Sequence, residues 1–418
     1  MTKKIVLTIG ILAIIALAAF LIFGGEESGQ GDSKVGFLRE FFPFGSSDEV
    51  VFDDGQNQGG GEEKGGGENI GDTNTPVPRV RKISSEPVAG AVVFNVGTTS
   101  VVRFVEKGTG NVYEARSDTV KIDRLTNTTI PKIVRAYWLP DGSGFLAQTL
   151  MTEYEIIETS FVKVVKNDKP LETEVLTPFV AEISKLPTGI KELSISPDGK
   201  RIFYYTSNGF ISNWFTSNPD GTKSTSLGSY RLNEWLPLWY APNSIIMQTK
   251  SSALAESYIY ELNPSTKALR KVGGSEVGLS SLPSPEGTSI LISSGGSFPD
   301  LYFVDSKTAV KTSINTRTLA DKCAWSRSEK NYVFCGVPTQ VPQGVYPDSW
   351  YKGLLQTEDY VKKIDVLNNI SYDVAYLSNS TGEKIDVVDM AVSKDDSHII
   401  FKNKVDEYLW MLRVAEEY

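Results

Sequence analysis

The chain has 418 residues, 40% of them hydrophobic and 22% charged, with a formal net charge of −9, one histidine and two cysteines. That is ample apolar material for a large core, and Val, Ile, Thr, Tyr and Phe dominate everything after about residue 80, which is an all-β composition. The acids concentrate before residue 79, leaving the remainder nearly neutral, so there is no basic field for nucleic acid and none is expected as a partner.

Residues 1–4 form a short head carrying Lys3 and Lys4, and Ile5 to Phe23 is an uncharged run of 19 residues. At about 1.5 Å per residue such a run crosses a hydrocarbon core of roughly 30 Å. It reads as a transmembrane signal anchor at 5–23. The alternative is a cleaved signal peptide, but the run exceeds a usual apolar region, and the small residues Ala16–Ala19 are followed by more apolar ones, "FLIF". Lys3 and Lys4 precede the span while Glu26 and Glu27 follow it, which keeps the N-terminus cytoplasmic and exports the rest. The expected location is therefore the cell membrane, single-pass, with the C-terminal domain extracytoplasmic.

Residues 24–78 hold twelve acids against three bases, with repeated Gly and little large apolar surface, and read as a flexible acidic linker. As a coil it spans about 40 Å root-mean-square. One part resists that description: "VGFLREFFPFG", Val35 to Gly45, gathers Phe41, Phe42 and Phe44 with Phe37 and Leu38. It is either a segment resting on the bilayer or on its own domain, or a partner-binding motif.

From residue 79 onward seven stretches share one plan: an apolar strand, a tight turn, then another apolar strand. The turns fall near Asn95, Pro140, Pro197, Pro242, Pro285, Ser328 and Asp395, mostly roughly 40 to 60 residues apart with one longer step, as expected for four-stranded propeller blades. In "SPDGK" Pro197 presets the first corner, Asp198 bonds its own backbone and Gly199 supplies the left-handed residue that lets the hairpin resume. The seventh copy ends at "DEYLWMLRV" without a fourth strand, while "RVRKISS", Arg79 to Ser85, is a fourth-type strand without a blade. Ring closure pairs them, which predicts a seven-bladed β-propeller over 79–418 whose N-terminal strand completes the last blade and leaves no long open edge.

Through "LSISPDGKRIFYYT" above all, residues 79–418 resemble the WD40-like and TolB-type propellers, although the WD dipeptide and "GH" are absent and the sixth turn, "SRSEKN", lacks Gly. The full layout is similar to uncharacterised signal-anchored propellers of candidate-phyla bacteria, on "VRFVEKGTGNVYE", "NTTIPKI" and "CGVP...YPDSWYKG". That second resemblance implies no activity.

His398 lies in a predicted strand and is read as structural, so neither a Ser-His-acid triad nor a metal site is expected, and no cofactor. No GxSxG elbow occurs; acids brought together across blades, as in a glycosidase or lyase, stay open as an alternative. Cys323 and Cys335 flank the sixth turn on one sheet face, either as a disulfide or as two buried thiols. After them, residues 336–358 form an insertion between second and third strands, with Pro338, Pro342 and Pro347 stiffening it and Tyr346, Trp350 and Tyr351 offering aromatic area. It is either a lid on its blade or a binding loop. Tyr154 and Arg231 belong to the same loop face and complete the candidate binding set. The expected function is a non-catalytic scaffold that binds envelope proteins; the alternatives are a glycan-binding propeller or an envelope enzyme.

Overall fold

The computed structural model describes residues 76–151, 156–167 and 177–414. Within these, strands form seven four-stranded antiparallel sheets, each a blade. Their first strands are Val88–Val96, Ile133–Trp138, Ile190–Ile195, Trp235–Ala241, Ser280–Pro283, Cys323–Trp325 and Val387–Val392, numbered here as blades 1 to 7. In blades 1 to 6 the chain runs outward through four consecutive strands. Blade 7 takes its fourth strand from Val80–Lys82, which pairs with Leu409–Arg413 in the register Val80–Leu412, Arg81–Met411, Lys82–Trp410. The ring is thus closed by hydrogen bonds between the two ends of the domain, as its sequence predicts.

The turns work as their residues suggest. In blade 3 the Ser196 hydroxyl and the Lys200 N–H both donate to Asp198 Oδ1, at 2.7 and 3.1 Å, and Gly199 sits at φ +70°. The glycine-free sixth turn finds another solution: Asn331 takes the left-handed position at φ +64°. Its open end is held from blade 7, where Asp396 accepts from the Arg327 N–H at 2.8 Å and the Ser328 hydroxyl at 2.7 Å.

The core lies between blades. Phe145, Val162 and Trp138 of blade 2 pack on Val105 and Val112 of blade 1, and Trp214 and Phe203 of blade 3 on Trp235 and Met247 of blade 4. Blades 1 and 2 meet closely at Gly90, where a Cβ would overlap the Ala136 carbonyl oxygen, and Trp138 Nε1 donates to the Gly90 carbonyl at 3.1 Å. Cys323 and Cys335 are directly opposed across the first two strands of blade 6, with Cα atoms 4.1 Å apart, and form the disulfide.

Among the described residues no helix is long and apolar enough to cross a membrane. Residues 5–23, the linker up to residue 75 and the Phe41, Phe42 and Phe44 motif lie outside the described residues, as does Tyr154.

Candidate binding face and axial channel

Because strands alternate in direction, the loops between second and third strands leave on the same face as the connections between blades, and the tight hairpins leave on the other. The 336–358 insertion joins Tyr332–Pro338 to Asp359–Asp365, the second and third strands of blade 6, and so belongs to the loop face. It contains one helical turn, Asp348–Tyr351.

The insertion is fastened across neighbouring blades. Tyr346 exchanges backbone bonds with Gly296 of blade 5, its N–H donating at 2.8 Å and its carbonyl accepting at 3.1 Å. Asp348 accepts from the Ser252 hydroxyl at 2.9 Å and the Ala253 N–H at 2.6 Å, both in blade 4. On the far side Trp350 Nε1 donates to both oxygens of Asp386, at 3.0 Å each, just before blade 7 begins. Tyr346 and Trp350 are 2% and 3% exposed and pack together on Leu319. Both side chains therefore face the blade in this structure and leave almost no exposed area. Burial pushes the Tyr346 hydroxyl up to about 12. Arg231 is exposed, in the connection from blade 3 to blade 4.

Tyr351 occupies different ground. Its hydroxyl donates to Asp321 Oδ1 at 3.1 Å, and Asp321, in the turn Ala320–Lys322, also accepts from Ser280 Oγ at 2.5 Å. Asp321 keeps solvent-accessible surface, yet protein surrounds it closely at the inner ends of blades 5 and 6. Removal from bulk water raises its carboxyl above the ordinary range, although the bonds from Ser280 and Tyr351 oppose the rise. The Tyr351 hydroxyl is raised well above its usual value, by burial first and then by the charge of Asp321.

The first strands of adjacent blades pack side by side around the axis, and several carry charge. Arg135 of blade 2 bonds its neighbour Tyr137 at 2.8 Å and Glu192 of blade 3 at 3.1 Å, while Tyr137 donates to Glu192 at 2.9 Å. Asp389 of blade 7, its side chain 67% exposed, pairs with Lys402 at 2.8 Å, and the Lys402 charge lowers its carboxyl against the opposing effect of enclosure. One wall is apolar instead: Leu236 and Leu238 of blade 4 are both exposed. Among the described residues Glu192, Asp321 and Asp389 are acids on or beside these inner strands, and two of them, Glu192 and Asp389, are paired with cations. None of these residues stands out in sequence, because they are gathered one or two per blade from strands far apart in the chain.

His398, by contrast, lies on the hairpin face beside Arg81, Ser117 and Arg413, accepts or donates one bond with Ser397 Oγ at 2.8 Å, and has its ring basicity lowered by burial. Among the described residues no group of three or more His, Cys, Asp and Glu side chains is placed to hold a metal ion.

The loop face has one more property. Leu254, Phe210 and Leu354 are the most exposed large apolar side chains among the described residues, at 85%, 81% and 73%, and all three sit in second-to-third strand loops, of blades 4, 3 and 6. The loops that carry them are tied through the blade 3–4 connection and the side chains of Asn233 and Asp348. Asn233, beside the exposed Leu232, bridges the Ser207 hydroxyl at 3.1 Å and the Gly209 carbonyl in the loop that presents Phe210. The Lys250 N–H bonds the Glu234 carbonyl at 3.3 Å, and the following loop, which carries Leu254, is clasped by Asp348 of the insertion. A large apolar residue in a short Ser-, Asn- or Gly-rich turn, as in "SNGFIS" and "SSALAES", was the available sequence signal.

No family model matches the chain, and no curated protein matches it. Among solved structures, an oligogalacturonate lyase in complex with manganese aligns at 13% identity over 77% of this chain and 87% of its own, with a TM-score of 0.51. An oligogalacturonate lyase from Vibrio parahaemolyticus aligns at 11% identity over 81% and 94%, with a TM-score of 0.52. TolB from Acinetobacter baumannii aligns at 12% identity over 74% and 61%, with a TM-score of 0.40, too weak to weigh further. At such identities the likeness is one of fold, and the fold is a seven-bladed β-propeller.

Proposed function

We propose that the chain is a membrane-anchored, extracytoplasmic propeller that binds envelope proteins through its loop face without catalysis. The observation that carries this reading is the linked rim of Phe210, Leu254 and Leu354, each presented to solvent by a loop that is itself hydrogen-bonded to its neighbours. Exposed apolar side chains on preorganised loops bind partners at low entropic cost. Anchoring through residues 5–23 puts such a rim in the envelope, and the acidic linker lets it sample a zone above the bilayer.

The test is cross-linking in intact membranes followed by mass spectrometry, comparing the native chain with one carrying Phe210→Ser, Leu254→Ser and Leu354→Ser. The expected result is loss of the cross-linked proteins with normal expression and melting. An unchanged set of partners overturns the rim as the binding surface.

A second reading, an envelope enzyme acting on polysaccharide, draws support from one feature: Asp321 is raised and Asp389 lowered within the same channel. Carboxyls pushed apart in this way suit an acid and a base. Turnover of acidic oligosaccharides that disappears in Asp321→Asn would favour it over the scaffold.

A further inference from the structure

Under the insertion, at the seam of blades 6 and 7, lies a group of charges closed off from solvent. Lys322 Nζ stands 2.6 Å from Asp359 Oδ2 and 2.8 Å from Asp386 Oδ1, and these lysine and aspartate side chains are 2% exposed or less. It also contacts Thr357 Oγ1 at 2.5 Å, the Trp350 ring centre lies 5.2 Å away, and a second buried lysine, Lys404, stands 5.1 Å over the same ring and feels the charges of Asp386 and Lys322. The two carboxyls are not equivalent. Asp386 accepts from Trp350 Nε1 with both oxygens and from the N–H and hydroxyl of Thr357 at 3.2 and 3.0 Å. Asp359 takes bonds on Oδ2 alone, from Lys322 and from the Val387 N–H at 2.8 Å, while its buried Oδ1 has no hydrogen-bond partner.

We propose that this triad forms an isopeptide bond between Lys322 and Asp359. A separated ammonium and carboxylate is costly where water is excluded, so passage of a proton from Lys322 to Asp359 leaves a free amine facing an uncharged acid. Burial also raises the Asp359 carboxyl, against the lowering effect of Lys322. Nζ attacks Cγ of Asp359 and the N–C bond forms. The proton received from Lys322 rests on Oδ2, across their 2.6 Å contact, and negative charge gathers on Oδ1. Asp386, 2.8 Å from Nζ, takes one proton from it, and that proton passes to Oδ2. The Cγ–Oδ2 bond then breaks and Oδ2, to which the Val387 N–H donates, leaves as water while Oδ1 becomes the amide carbonyl. The products are one amide and one water, with Asp386 returned to its starting charge, and no oxidant or cofactor takes part. The bond closes the base of the insertion, complementing the disulfide that begins at the adjacent Cys323.

Mass spectrometry of the full chain decides the matter. After reduction and denaturation the protein is expected to be one water lighter than the same chain carrying Lys322→Met, once that substitution is allowed for. A tryptic digest should hold a branched peptide joining Thr318–Arg327 to Gly353–Lys362. Asp359→Ala should abolish the branch, and Asp386→Asn should leave it largely unformed in a protein that still melts cooperatively. Recovery of the two peptides unlinked from the native chain overturns the proposal irrespective of how the variants fold. A branch from Lys322 to Ile385–Lys394 overturns the assignment of Asp359 as the acyl group.

Discussion

Replacing Trp350 with Ala separates a lid from a binding loop, and its size follows from the contacts. Trp350 is 3% exposed, packs on Leu319 and Tyr346 and donates to both oxygens of Asp386. Truncating a buried Trp costs about 3–5 kcal/mol, and depriving a buried carboxylate of one donor adds about 1–3. Asp386 keeps Thr357 and Lys322, so the lower part of the second range applies, for a total of about 4–6 kcal/mol. Melting shifts by roughly 1–2 °C per kcal/mol in a domain of this size, which predicts a drop of about 5–10 °C. Trp350→Phe keeps most of the area and loses only the N–H, so it should fall by about 1–3 kcal/mol. If the insertion opens as its own cooperative unit, the loss appears instead as faster amide exchange across residues 339–357. Calorimetry and hydrogen exchange therefore belong together. An Ala variant with native melting and native exchange, but with a partner lost, refutes the lid and restores Trp350 as a contact residue.

Gly90→Ala drives a methyl into the Ala136 carbonyl, backbone against backbone between blades 1 and 2, and should cost at least about 1–3 kcal/mol in urea unfolding; a neutral result contradicts the close seam. Replacing Cys323 and Cys335 by Ala releases a short loop of sequence separation 12 and should lower stability by about 3 kcal/mol, whereas an unchanged urea midpoint would argue that the bridge adds nothing. Asp395 is held down to about 2: burial opposes this, but bonds from Ser393 and Ser397 prevail. Since the folded value lies below the unfolded one of 3.8, its contribution is full above about pH 4 and disappears as pH falls through 2. The stability gap between the native chain and Asp395→Asn should accordingly narrow over that window, and a gap that is constant from pH 6 to 2 would exclude the linkage.

What was legible in the sequence was local or rested on repetition. Seven hairpins announced themselves because a turn such as "SPDGK" sets its own geometry within five residues, and because each blade repeats the same alternation. The pairing of Val80–Lys82 with Leu409–Arg413 followed from counting strands, and the symmetry of Cys323 and Cys335 about one turn put them on one sheet face, where the structure joins them. Only the tertiary structure decided which way the aromatic insertion faces. Its anchors, Ser252, Gly296 and Asp386, come from three other blades, and nothing in "YPDSWYKG" encodes their positions. The same holds for the Lys322, Asp359 and Asp386 triad and for the axial charges of Arg135, Glu192, Asp321 and Asp389. Each is an ordinary polar residue within its own strand. Ring closure brings them within a few ångströms of one another or onto one axis, and burial then raises the carboxyls of Asp321 and Asp359, a step for which a linear pattern carries no signal.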